Sequence, residues 1–208
     1  MKQVSVLKFG GSSVGTIDKI KDISTYLKKR VENNEKLIVV VSAMGKTTDE
    51  LLKQVEKITD NPDVRELDTL LAIGEQNTIS LMAITLNELG VRARSLTGIQ
   101  AGIKTFGQHT KSRIADIDAD FLNGQLEEFD ILVVAGFQGY NENLEITTLG
   151  RGGSDTSAVA LAAAIGASCE IYTDVTGVFG TDPRIYKAAR QLSQVSYEEM
   201  LELSALGA

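Results

Sequence analysis

Val4-Ser5-Val6-Leu7-Lys8-Phe9-Gly10-Gly11-Ser12-Ser13 carries the reading of the fold. Val4 to Phe9 is a strand-sized apolar run, and the glycine pair ends it. Lys8 interrupts the run, and a lysine there needs an anionic partner because burying an unpaired charge is costly. Adjacent Gly10 and Gly11 let a phosphate approach the backbone with no side chain in the way. Ser12 and Ser13 add hydroxyl donors, and a helical pattern opens at Ile17, so a helix N-terminus is close by. A tight turn with a lysine reaching to solvent would explain the same residues, since a Gly-Gly-Ser signal is short. The chain contains no Gly-x-x-x-x-Gly-Lys-Ser/Thr, so the loop is not a P-loop.

Outward from this stretch, Leu37–Ser42, Val91–Leu96, Ile131–Phe137 and Glu170–Thr173 also read as buried strands. Helical patterns lie between them: Ile17–Glu32, Asp49–Ile58, a long Leu67–Leu89, a weaker Lys111–Glu128, Asp155–Ile165 and Ser196–Leu206. Continuous apolar strands alternating with helices predict an α/β fold, a three-layer α/β/α sandwich around a mainly parallel central sheet. The 208 residues suffice for one sizeable core. No apolar run approaches the roughly 20 residues of a membrane-spanning helix, and Met1-Lys2-Gln3-Val4 runs straight into a strand without a signal peptide. A single cysteine, Cys169, excludes an internal disulfide framework. These points predict a cytoplasmic protein without a membrane partner. The net charge of −7 argues against nucleic acid. One histidine, His109, leaves no room for a histidine-based nucleophilic triad or a multi-histidine metal site, and no metal-ligating residues are assigned.

In open α/β sheets ligands bind beyond the carboxyl ends of the strands, so the following loops matter most. After the second strand comes Ser42-Ala43-Met44-Gly45-Lys46-Thr47-Thr48-Asp49, where one threonine can cap a helix and the other hydroxyls are surplus. Gly74-Glu75 interrupts the long apolar helical segment, and Glu75 is either a solvated carboxylate or a receptor for an ammonium group. After the fourth strand come Gly136-Phe137-Gln138-Gly139 and then Thr147-Thr148-Leu149-Gly150-Arg151-Gly152-Gly153-Ser154-Asp155. There an arginine fork suited to a carboxylate or phosphate stands among glycines. Asp155 lies at a helix start, where capping is its simplest role. After the fifth strand, Tyr172-Thr173-Asp174-Val175-Thr176-Gly177-Val178-Phe179-Gly180-Thr181-Asp182-Pro183-Arg184 is a polar loop at the same sheet edge and a candidate nucleotide site.

Taken in order, Lys-Phe-Gly-Gly-Ser-Ser, Val-Ser-Ala-Met-Gly, Gly-Glu, Gly-Phe-Gln-Gly, Thr-Thr-Leu-Gly-Arg-Gly-Gly-Ser-Asp and Tyr-Thr-Asp-Val resemble aspartate kinases of the amino acid kinase superfamily. The resemblance spans the whole chain, and its most specific part is Leu149–Asp155. It implies the amino acid kinase (carbamate kinase-like) fold and phosphoryl transfer from MgATP to the β-carboxylate of L-aspartate, giving 4-phospho-L-aspartate. That is the first step towards lysine, threonine and methionine. It implies ATP and L-aspartate as substrates, Mg²⁺ held mainly through the nucleotide phosphates, and a homo-oligomer in the full-length protein. By the same resemblance, Lys8 contacts the transferring phosphoryl group, and Asp155 orients Lys8 and the glycine loop. Gly10, Gly11 and Ser12 line the phosphates. Arg151 grips a substrate carboxylate beside Gly152, Gly153 and Ser154, Glu75 holds the α-amino group, and Ser42 and Thr48 position aspartate. Thr173, Asp174, Phe179, Gly180, Asp182 and Arg184 surround the nucleotide.

A carboxylate needs no general base at neutral pH, because its reference pKa is near 4. Positioning and charge neutralisation then carry catalysis. Members of the family continue past Leu206-Gly207-Ala208 to a further ATP-contacting lysine and then to regulatory ACT domains. The expectation is therefore one catalytic domain over residues 1–208, truncated at its C-terminal end and without the ACT domains. Glutamate 5-kinase, acetylglutamate kinase and uridylate kinase share the glycine loop, but should lack Glu75 together with the Arg151 block. A nucleotide-binding module without turnover is the other alternative.

Overall fold

The computed structural model describes residues 3–174, 177–181, 185–196 and 198–200. Its elements run β1 (Val4–Phe9), α1 (Ile17–Glu32), β2 (Lys36–Val41), α2 (Thr47–Glu56), α3 (Val64–Leu71), α4 (Ile73–Glu88), β3 (Ala93–Leu96), β4 (Ile103–Phe106), β5 (Arg113–Ile117), α5 (Ala119–Glu128), β6 (Ile131–Ala135), β7 (Gln138–Tyr140), β8 (Ile146–Thr148), α6 (Gly153–Ile165) and β9 (Ser168–Tyr172). Two compact units divide the chain, Met1–Tyr172 and Thr173–Ala208.

In the first unit a five-stranded sheet has the order β3-β6-β2-β1-β9, with every neighbouring pair parallel. Parallel strands joined by helical crossovers are covered on both faces, which is why they read as unbroken apolar runs. Leu7 and Phe9 of β1 pack with Ile20 and Leu27 of α1 and Ile79, Met82 and Leu86 of α4. Val6 packs on the opposite side, with Leu122 and Leu126 of α5 and Ala158 and Leu161 of α6. Alternation along the strand puts Lys8 on the same side as Val6, towards α6. These are the three layers the sequence predicts.

A second, four-stranded sheet of order β5-β4-β7-β8 was not legible in the sequence. It joins two antiparallel pairs through one parallel contact between β4 and β7. Its strands follow closely on β3 and β6, so it stands over the carboxyl edge of the main sheet. Lys111–Glu128, expected as one helix, is strand β5 followed by helix α5. Ile103 and Lys104 pair with Ile117 and Asp116, whereas Thr105 pairs with Ile114, so Ala115 is a bulge. The bulge brings Ile114 and Ile117, three residues apart, onto one core, a spacing that reads as helical. Asp118 then caps α5 by accepting from the Phe121 N–H at 2.9 Å.

The long Leu67–Leu89 segment also differs from expectation. It breaks at Ala72 into α3 and α4, and the Gln138 side chain donates to the Ala72 carbonyl at 3.0 Å. The strand expected over Ile131–Phe137 stops at Ala135, because Phe137 adopts φ 67°. The second unit contains a short antiparallel contact in which the Leu192 N–H donates to Val178 and the Gly180 N–H to Arg190. Of the helix expected over Ser196–Leu206, residues 198–200 are helical, and residues 201–206 lie outside the described residues. Among the described residues no helix is long and apolar enough to cross a membrane.

Candidate active site

At the carboxyl ends of β1 and β2, under the N-terminus of α6, lies a cavity of about 340 Å³ built wholly from the first unit. The β1 and β2 loops are stitched together beneath it: the Gly45 N–H donates to the Gly11 carbonyl at 3.0 Å, and the Ser42 N–H to the Phe9 carbonyl at 3.2 Å. Lys8, Gly11, Ser42, Thr48, Glu75 and the run Gly150–Asp155 all reach the cavity wall.

Glu75 sits in the first turn of α4 and is only 3% exposed. Its Oε1 accepts from the Ala43 N–H at 3.0 Å, while the buried Oε2 has no hydrogen-bond partner. Burial pushes this carboxyl up to about 7, against the pull of the Ala43 and Glu75 N–H groups. The close approach depends on Gly74, where a Cβ would lie 2.7 Å from the Ala43 Cβ. The glycine before the carboxylate therefore lets α4 press its first turn onto the β2 loop.

Lys8 is 9% exposed, and its ammonium lies 2.7 Å from Asp155 Oδ1. The contact is an ion pair without hydrogen-bond alignment, which leaves Oδ1 without a directed donor. Asp155 does not cap α6; that end begins at Gly152, with no side-chain cap bond. The N-terminus of α6 thus directs its partial positive charge at the cavity.

Arg151 is held differently. Gly150 (φ 78°) and Gly152 (φ 75°) flank it in the left-handed region, where a side chain is strained. The guanidinium is exposed and has no acidic partner among the described residues. Opposite it, the Ser42 hydroxyl donates to the Ser154 hydroxyl at 2.9 Å and ties the β2 end to α6. Neither threonine caps α2: the N-cap is Lys46, and the Thr47 hydroxyl donates to the Met44 carbonyl at 2.7 Å. Thr48 is left facing the cavity.

The fold brings Lys8, Gly11, Ser42, Thr48, Glu75, Arg151, Gly152, Gly153, Ser154 and Asp155 together from four separate stretches of chain. Gly10 and Ser12 do not line the cavity. The position of a Gly10 Cβ is 3.5 Å from Lys8 Nζ, and the Ser12 carbonyl accepts from the Lys19 ammonium at 2.8 Å. Thr173, Asp174, Phe179 and Gly180 belong to the second unit. Asp182 and Arg184 lie outside the described residues.

Phe137, to which sequence reasoning assigned no role, lines the cavity in a left-handed conformation. Its N–H donates to the Ser157 hydroxyl at 3.1 Å and its carbonyl accepts from Leu149 at 2.9 Å. Only its place inside Gly136-Phe137-Gln138-Gly139 hinted at a special backbone. Two cations, one buried carboxylate with an unmatched oxygen, and several hydroxyls therefore share one cavity. Such a set can hold a small molecule bearing both an ammonium and carboxylates, and it can neutralise an anion beside it.

The amino acid kinase family matches residues 3–208. Aspartokinase 2 of Bacillus subtilis (strain 168) is 56% identical over 204 residues, which cover 98% of this chain and 50% of that protein. Aspartokinase of Geobacillus stearothermophilus is 54% identical over 206 residues, 99% of this chain and 51% of its own length. Among solved structures, aspartate kinase from Synechocystis superposes with a TM-score of 0.81 at 48% identity, covering 98% of this chain and 34% of that one. Aspartokinase III of E. coli, in complex with aspartate and ADP, also reaches a TM-score of 0.81, at 24% identity over 98% of this chain and 56% of its own; that likeness is one of fold. The chain spans about half the length of the curated relatives it matches.

Proposed function

The chain belongs to the amino acid kinase family, and we propose that it is the catalytic portion of an aspartate kinase, transferring the γ-phosphoryl group of MgATP to the β-carboxylate of L-aspartate. One observation carries this reading: the buried Glu75 carboxylate, with Oε2 unmatched, shares a cavity with Arg151, which has no acidic partner among the described residues. An amino acid with two carboxylates satisfies both. Its α-ammonium takes Glu75 Oε2, the Arg151 fork takes a carboxylate, and Ser42 and Thr48 supply hydroxyls. The ammonium would also draw the Glu75 carboxyl down from about 7 and keep it ionised.

The β-carboxylate is the nucleophile. One of its oxygens forms a bond to the γ-phosphorus as the bond to the bridging β,γ oxygen breaks, and ADP leaves with that electron pair. No proton has to be removed, so the residues needed are positioners and cations. Lys8 neutralises charge on the transferring group, and Asp155 holds its ammonium in place. Gly11 and the N-terminus of α6 offer backbone N–H groups on the same wall. Gly10, Ser12, Thr173, Asp174, Phe179, Gly180, Asp182 and Arg184 complete the nucleotide side in this proposal. In this proposal Mg²⁺ enters with the nucleotide phosphates.

The same proposal treats both units as one kinase domain, acting in the cytoplasm within a homo-oligomeric protein. The test is a coupled ADP-release assay with aspartate, glutamate, N-acetylglutamate and UMP, run on this chain and on the full-length protein. Aspartate-dependent turnover is expected from the full-length protein; turnover of glutamate and not aspartate overturns the assignment.

A further inference from the structure

We infer that Asp68 is a positioning residue for Arg151, acting through Thr148, and that this contact sets the affinity of the site for the substrate carboxylate. The inference rests on the aspartate reading above.

Asp68 lies in the middle of α3, outside the cavity, and is fully buried. A fully buried carboxylate is expensive unless donors surround it. Here they converge from two other parts of the chain. The Thr110 N–H reaches both oxygens, at 3.1 and 3.0 Å, and His109 donates from Nδ1 to Oδ2 at 2.7 Å. The Thr148 hydroxyl donates to Oδ1 at 2.5 Å. The His109 Nε2 faces Glu145 at 3.6 Å, which closes the cluster on its outer side.

Thr148 is the last residue of β8, three positions before Arg151. Among the described residues the Arg151 guanidinium has no hydrogen-bond or ion-pair partner, so its location depends on how the loop is anchored. The carbonyl of Thr148 accepts from the Ser112 N–H at 3.0 Å, and the Leu149 N–H donates to Phe137 at 2.9 Å. These bonds hold the backbone, while the bond to Asp68 is the one that ties the loop to α3. Helix α3 leads through Ala72 directly to Gly74-Glu75. The Gln138 side chain, paired across the ladder from Thr148, donates to the Ala72 carbonyl at 3.0 Å. Asp68 therefore spans the two halves of the amino acid site, the arginine for the carboxylate and the glutamate for the ammonium.

The test uses the full-length protein with Thr148→Val, which keeps the shape and removes the hydroxyl, and Thr148→Ser, which keeps the hydroxyl. The KM for aspartate should rise about tenfold or more in Thr148→Val, the effect of losing one hydrogen bond to a charged group. The KM for ATP should stay within about twofold, and Thr148→Ser should restore both. In an Arg151→Ala background, where turnover is lost, calorimetric titration should show Thr148→Val changing the aspartate Kd by less than about twofold, because the residue it positions is gone. A parallel rise in both KM values, or an undiminished effect in that background, overturns the inference. Failure of the aspartate reading is recognised separately, as absence of aspartate turnover in the wild type. In that case trypsin cleavage after Arg151, followed by mass spectrometry, decides. Faster cleavage in Thr148→Val, with other sites unchanged and Thr148→Ser like wild type, supports the anchoring; an unchanged rate refutes it.

Discussion

Replacing Glu75 with glutamine should make the empty protein more stable and the enzyme worse. The carboxyl rises from 4.5 in the unfolded chain to about 7 in the fold, with desolvation as the main cause. Folding therefore favours its protonated form. The penalty is absent below pH 4.5, grows between pH 4.5 and 7, and is complete above 7. At about 1.36 kcal/mol per pH unit, it amounts to about 3 kcal/mol at pH 8 and less than about 1 kcal/mol at pH 5. A glutamine keeps an oxygen for the Ala43 N–H and carries no charge. Urea unfolding of ligand-free Glu75→Gln and wild type across pH 5 to 8 should then show the variant gaining stability as pH rises, up to about 3 kcal/mol. Aspartate should stabilise the wild type at pH 8 and not the variant, whose aspartate KM should rise steeply. A stability difference independent of pH, or an unchanged aspartate KM, would refute the reasoning.

Lys8→Ala and Arg151→Ala should each abolish turnover in the full-length enzyme while circular dichroism shows the fold retained; normal activity in either would remove the role assigned to it. Arg151→Lys keeps the charge and loses the fork, so the aspartate KM should rise about tenfold or more with the ATP KM little changed. Asp155→Asn should lower kcat more than it raises either KM, because it releases the Lys8 ammonium now held at 2.7 Å. Gly74→Ala places a Cβ 2.7 Å from that of Ala43. Thermal melts should show a loss of about 1–3 kcal/mol, and aspartate affinity should fall as Glu75 is pushed off the Ala43 N–H.

Much of the frame was readable because it is local. Strand β1 and helix α1 have the predicted bounds, and the apolar runs of β2 and β6 can only be strands buried on both faces. The demand of Lys8 for an anion was also legible, since a lysine in such a run has few alternatives. The second sheet was not. Strands β7 and β8 are three residues each, and a bulge at Ala115 disguises β5 as helix. Their pairing depends on partners distant in sequence, which a local pattern does not name. No motif singled out Asp68, yet the fold buries it completely, as it nearly does Glu75.

By itself the sequence determined the parallel sheet, the loops at its carboxyl edge and the stock of groups in them: Lys8, the glycines, Glu75, Arg151 and Asp155. Hydrophobic periodicity and backbone chemistry are written residue by residue, so these follow from short windows. Only the tertiary structure decided which of these groups meet. It set Asp155 against Lys8, buried Glu75 with one oxygen unmatched, left Arg151 without an acidic partner among the described residues, and bonded Thr148, at the root of the Arg151 loop, to Asp68. Burial and the distance between charges are properties of the packed chain, and they turn a list of polar residues into one shared cavity.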